Sequence, residues 1–254
     1  MRLPRRIPHG QHAELVDHLD ELRNRLIVSL IAVVAGFAVS YAFHARLLAM
    51  LESPLPAGKK LVTFGVTEPF MTSLQVSFVG AVAIALPVLL WQAWSYFAPA
   101  IEPHIQRTVA LAVAVATGLF AVGLVFAYKV AMPAAVRFLT TYDQHIYNIN
   151  VRARDYISFA LAVLISVGLV FELPVVIVAL VRIGIVRAEQ LRKNRRIGYV
   201  AVAVLAVALP GVDPVTTTFE MVPLMILFEA SIWASVVVER RVAARTRAKE
   251  IVAA

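Results

Sequence analysis

Hydrophobic residues along this chain gather into six runs separated by polar or charged stretches. An apolar run of about 20 residues is long enough to cross the hydrocarbon core of a bilayer as a helix. The first run is Leu26 to Phe43, ending before His44 and Arg46. The second lies within Phe70 to Trp94, where no charged residue occurs, and the third is Thr108 to Tyr128, running on past Lys129 toward Met132. The fourth, Tyr156 to Val181, holds one charge, Glu172, in 26 residues. The fifth, Ile197 to Leu209, is only 13 residues long and stops at Pro210. The sixth, Val215 to Val238, is interrupted by Glu220 and Glu229. The pattern predicts an all-α, polytopic membrane protein with six transmembrane helices.

The fifth run is short for a span. At 1.5 Å per residue, 13 to 16 residues reach ~20–24 Å, against a hydrocarbon core of ~30 Å. Either the bilayer thins or a partner is recruited there, or neighbouring helices shield it. The last outer connection, Pro210 to Pro214, predicts a tight hairpin between the fifth and sixth spans.

Charge gives the chain an orientation. Five Lys or Arg residues precede or open the first run (Arg2, Arg5, Arg6, Arg23, Arg25), and Arg107 follows the second. Six follow the fourth (Arg182, Arg187, Arg192, Lys193, Arg195, Arg196), and five lie in the tail (Arg240, Arg241, Arg245, Arg247, Lys249). The opposite side holds Arg46, Lys59, Lys60, Arg137, Arg152 and Arg154. Cytoplasmic loops carry the excess of Lys and Arg, so both termini are expected inside. One membrane domain over 1–254 follows: a cytoplasmic leading segment at 1–25, a six-helix core at 26–238 and a basic tail at 239–254.

Composition narrows the class further. Hydrophobic residues make up 60% of the chain and charged ones 16%, unlike a soluble domain with charge near a quarter. There is no cysteine, which excludes disulfides and thiolate metal sites. The net charge of +8 flanks apolar spans and forms no aromatic-interleaved groove, so nucleic acid is not an expected partner. The first apolar run lacks a trusted cleavage pattern and is expected to persist. HExxH, GxSxG and Walker patterns are absent, and the six histidines show no ligand spacing. No enzyme activity, metal or cofactor is expected.

Polar residues in unusual places carry the candidate chemistry. A carboxylate at the depth of Glu172 costs at least ~2.5 kcal/mol on insertion scales, which makes it a functional candidate. Pro174 cannot donate to the Val170 carbonyl, so the site should be locally polar and face a wet cavity; a protonated structural Glu is the alternative. Ahead of the first span, Leu15, Leu19, Leu22 and Leu26 recur at helical spacing, opposite Asp17, Asp20, Glu21 and Arg23. That acidic face suits a cationic ligand, or Glu21 pairs internally with Arg25 at i,i+4. Glu68 and Pro69 fit the first turn of the second helix, and Pro87 should bend it. Gln92 and Glu102 are the polar groups nearest its far mouth. Asp213 is a candidate cap for the sixth helix, and Glu229 must pair or face the interior.

The strings HLDELRNRL, SPL, TEPF, PVLLWQAWSYFAPAI, FELP, LRKNRR, PGVDPVT and LFEA occur in this order. Together they resemble the TatC family, the multi-spanning receptor subunit of the twin-arginine protein translocase, over about residues 14 to 238. The resemblance implies a cup-shaped six-helix core in the plasma membrane of a prokaryote. It implies recognition of twin-arginine signal peptides on folded cargo and export driven by the proton-motive force. It also implies single-span TatA- and TatB-type partners and homo-oligomers within a hetero-complex. Carried over by position, Glu21, Leu22 and Arg23 match the acidic motif of the leading helix, and Pro54, Glu68, Pro87, Trp94, Pro99, Glu172, Pro174, Asp213, Pro223 and Glu229 match motif positions. One departure stands out. Ile105 occupies the place of a family Glu in His104-Ile105-Gln106-Arg107, leaving Glu102 and Arg107 as the charged candidates at that mouth. The alternative class is a proton-coupled small-molecule transporter with Glu172 as relay, though the halves show no self-similarity. A purely structural assembly subunit is a third.

Overall fold

The computed structural model describes residues 15–56, 59–97, 106–146, 149–210 and 214–253. Every regular element among them is helical. The leading segment and the first apolar run form one helix, α1, Leu15–Ala42, with no break where amphipathic sequence gives way to apolar sequence. A short helix α2, His44–Glu52, follows, then α3, Glu68–Phe97, which stays continuous through Pro87. The third run becomes α4, Gln106–Phe126, a π-helical turn at Ala127–Ala131, and α5, Met132–Thr141.

The fourth run stays a single candidate span, Ala153–Ile183, but not a single helix. It is two helices, α6, Ala153–Val170, and α7, Leu173–Ile183, interrupted at Phe171 and Glu172. Pro174 has no N–H to give to the preceding turn. The chain tightens instead: the Glu172 amide donates to the Leu169 carbonyl, and the Glu172 carbonyl accepts from Val175 and Val176. A short α8, Ala188–Lys193, leads into α9, Arg195–Ala208. The last helix, α10, Pro214–Ala253, is 40 residues long and carries the sixth run straight into the basic tail.

Five segments are long and apolar enough to cross a membrane: Asp20–Ala42, Glu68–Tyr96, Ala110–Thr141, Ala153–Ile183 and Thr217–Arg240. Helix α9, at 14 residues, is the shortfall against the six expected. Whether the fifth run spans therefore rests on the bilayer-thinning or shielding arguments.

Packing follows small residues. Helices α1 and α3 make the most extensive contact in the fold. A Cβ on Gly36 would stand 2.8 Å from the Ala81 carbonyl oxygen, so only glycine permits the two backbones to approach this closely. The other helices enclose three buried clusters. One joins α2, α3, α5 and α6 through Leu51, Val76, Met132, Val136, Tyr156 and Ile157. The second joins α6, α9 and α10 through Val170, Val202, Leu224, Phe228 and Ile232. The third links the π turn to α6 and the break after it, through Ala127, Ala131, Val163, Val167 and Phe171. Large apolar side chains such as Leu30, Ile31, Val34, Val122 and Val125 point outward, as helices solvated by lipid tails require.

Candidate functional site

Three groups of polar side chains punctuate this apolar frame. The first lies where the start of α1 meets the end of α3. Arg25 pairs with Glu21 one turn earlier, donates from Nη1 to the Gln92 backbone carbonyl at 3.0 Å, and holds its guanidinium 5.9 Å from the centre of the Tyr96 ring. A carboxylate, a carbonyl oxygen and an aromatic face are the three things a guanidinium seeks. Of the two sequence readings of Glu21, the structure displays the internal pair. Gln92 takes part through its backbone, not its amide side chain. Leu22 and Arg23 are exposed on the same turn, and Trp94 is half-buried. Helix α4 includes Arg107, but the side chain of that residue, and the whole of Pro99, Glu102 and Asp213, lie outside the described residues.

The second group is interior. Glu172 sits at the break between α6 and α7 with 8% of its surface exposed. Its Oε1 has no hydrogen-bond partner among the described residues. Beside the break runs an apolar crevice too narrow to admit water, lined by Val170, Phe171, Leu209 and Pro223. Glu220 of α10 also lines it and is only 1% exposed. The sequence reading treated Glu220 merely as an interruption of the sixth run. A carboxylate inside an apolar run is a signal at Glu220 too, weaker than at Glu172 because Glu229 shares the run.

The third group ties elements together. The Glu68 Oε2 accepts from the Phe64 and Gly65 amides at 2.9 and 3.1 Å, and Oε1 accepts from Arg152 Nε at 2.8 Å and the Arg154 amide at 3.2 Å. The carboxylate in turn holds the Arg152 guanidinium pKa above its ordinary value. Beyond its place in the first turn of α3, Glu68 joins elements distant in sequence. It clamps the segment after α2 to the segment before α6, which also meet in a short parallel bridge between Val62 and Arg152. Glu229 resolves as a paired residue: it accepts from the Tyr199 hydroxyl and lies 3.4 Å from Arg195 Nη2, both on α9. Pro174 and Pro223 sit in the first turn of α7 and inside α10, respectively. Pro54 lines a cleft at the α2 end of the bundle.

Comparison with known proteins gives this arrangement a family context. Residues 17–223 match the family model described as Sec-independent protein translocase protein (TatC). The TatC protein of Carboxydothermus hydrogenoformans is 40% identical over 221 residues, covering 86% of this chain and 91% of that one. The Escherichia coli K12 TatC protein is 32% identical over 225 residues, 87% of each chain. Among solved structures, the twin arginine translocase receptor TatC superposes with a TM-score of 0.74 at 30% identity, over 87% of this chain and 99% of that one. The same receptor crystallised in DDM gives 0.76 at 31% identity, over 86% and 99%.

Proposed function

The chain belongs to the TatC family of Sec-independent protein translocase proteins, and on that premise we propose that its α1–α3 corner docks the arginine pair of a twin-arginine signal peptide. It is a multi-pass membrane protein and a component of the twin-arginine translocase, working in a complex with other subunits of that machine. The observation that carries the docking proposal is the Arg25 contact set. Glu21, the Gln92 carbonyl and the Tyr96 ring already hold one guanidinium, so the corner has the chemistry to hold another.

In this reading an incoming arginine displaces Arg25 from Glu21, exchanging one charge-assisted contact for a similar one. The second arginine takes Glu102, with Arg107 keeping the mouth from over-accumulating negative charge. Each new contact contributes on the order of 1.5 kcal/mol at a half-exposed surface. Leu22 and Arg23 flank the site on the exposed side of the same turn. The apolar part of the signal then moves into the concave interior toward Glu172, whose sealed carboxylate oxygen gains a partner only when the helices around it rearrange.

The same proposal fixes the rest of the assembly. Both termini face the cytoplasm of a prokaryote, α9 counts as the fifth of six spans, and residues 1–254 form one membrane domain in the plasma membrane. Ile197, Val200, Val204 and Val207, each between 63% and 70% exposed, line one face of short α9 and suit a single-span TatB-type helix, with TatA-type subunits recruited afterwards. Several copies of the chain work within the hetero-complex, driven by the proton-motive force, without a catalytic step, metal or cofactor.

Photocrosslinking tests the proposal. Probes at positions 21, 102 and 172 are expected to capture a twin-arginine signal peptide, with a twin-lysine peptide captured far less. Equal capture of the two peptides, or capture at none of the three positions, would refute it.

A further inference from the structure

The outer cleft at the α2 end has a composition that none of the translocation chemistry uses. Its volume is about 640 Å3. One wall is the Ser53–Pro56 turn after α2, and the other is a ridge of Lys129, Pro133, Arg137 and Thr141. These four recur every fourth residue along the π turn and α5, so they stack on one face. None of the nine lining residues is acidic, and neither Lys129 nor Arg137 has a carboxylate within ion-pair distance among the described residues.

Lys129 makes the cleft unusual. It is a cation inside the apolar segment Ala110–Thr141, where charge is retained only when it is compensated or reaches the interface. Its one described contact is the Tyr128 ring, 5.4 Å from Nζ. The π-helical turn that carries it is a distortion often found at functional positions. One and two turns earlier along the same apolar segment, Val125 and Val122 share its exposed stripe, 61% and 57% exposed. A paired cationic rim above an outward apolar stripe is the complement of a lipid: phosphate at the rim, acyl chain along the valines.

We propose that this cleft binds the phosphate of an anionic glycerophospholipid from the leaflet at the α2 end, with Lys129 and Arg137 as its cations. The occupant is a lipid and not a free anion because the charged ridge continues into the Val122–Val125 stripe. A soluble phosphate gains nothing from that surface.

The test uses the full chain in phosphatidylcholine nanodiscs doped with phosphatidylglycerol, with retained lipid counted by native mass spectrometry. Wild type is expected to retain phosphatidylglycerol over phosphatidylcholine. The double variant K129Q/R137Q is expected to lose that preference by about tenfold or more, since each interfacial cation attracts anionic lipid appreciably. Arg46→Gln removes a charge at the same end of the bundle but outside the cleft, and is expected to retain lipid as wild type does. Should the double variant fail to fold, judged by its thermal unfolding, the single variants K129Q and R137Q are each expected to give a partial loss. Unchanged retention in these variants overturns the proposal, as does an equal loss in Arg46→Gln or displacement of the lipid by inorganic phosphate.

Discussion

Arg152 Nε lies 2.8 Å from Glu68 Oε1, joining residues 84 positions apart across two connections that the sequence presents as separate loops. The carboxylate is 4% exposed and the guanidinium 38%. The buried partner therefore depends on the pair more than the exposed one does. The Phe64 and Gly65 amides on its other oxygen make the clamp two-sided.

Removing that clamp should loosen the α2 end without unfolding the bundle. Glu68→Ala is expected to lower the thermal unfolding temperature more than Arg152→Ala, because it strands four donors, whereas Arg152→Ala leaves the carboxylate three of its partners. Since the two residues touch, a double-mutant cycle should return a nonzero coupling. Additive losses would show that the pair contributes nothing of its own.

Glu172 is predicted to be required for transport and not for insertion. Glu172→Ala should cut export of a folded reporter bearing a twin-arginine signal by about tenfold or more, while membrane extraction shows normal insertion. Glu172→Gln, which keeps hydrogen-bonding capacity without charge, separates two roles. If it exports like wild type, the group works as a neutral hydrogen-bonding partner; if it fails with Ala, ionisation matters. Wild-type export from the Ala variant would remove Glu172 from the mechanism.

At the α1–α3 corner the two members of one ion pair should behave oppositely. Glu21→Gln is expected to weaken binding of a twin-arginine peptide about tenfold, by loss of one charge-assisted contact. Arg25→Gln frees the carboxylate and is expected to leave affinity unchanged or raise it, measured by titration of a fluorescent peptide. A loss in Arg25→Gln equal to that in Glu21→Gln would mean that Arg25 shapes the site and is not displaced from it.

Close helix approach gives a packing prediction. Gly36→Val pushes side-chain atoms onto the Ala81 backbone, which cannot rotate away, and overpacking of this kind costs about 1–3 kcal/mol or more. Gly118, whose Cβ would meet nothing within 4 Å, should accept Ala without loss. Thermal stability of the two purified variants separates the cases.

What the chain determined by itself is the set of helices and their chemistry. Unbroken apolar windows dictated long helices because backbone polar groups have no other partner in hydrocarbon. The ordered motifs pointed to the family. The shortness of the fifth run was plain from Ile197 and Pro210. Pro174 marked where the fourth run would yield, yet only the folded chain separates α6 from α7, because the tightened turn at Glu172 depends on which carbonyls its neighbours already occupy.

Tertiary structure alone decided the partners. Nothing near Glu68 in sequence announces Arg152, and nothing near Glu229 announces Tyr199 and Arg195. Those pairings come from the order in which helices pack, set by contacts between distant small residues such as Gly36 and Ala81. In the sequence Lys129 is only a charge that the third run passes; the π turn and the helix after it set it on one ridge with Arg137. A periodicity argument assumes regular helix, and a π turn shifts the register of everything beyond it.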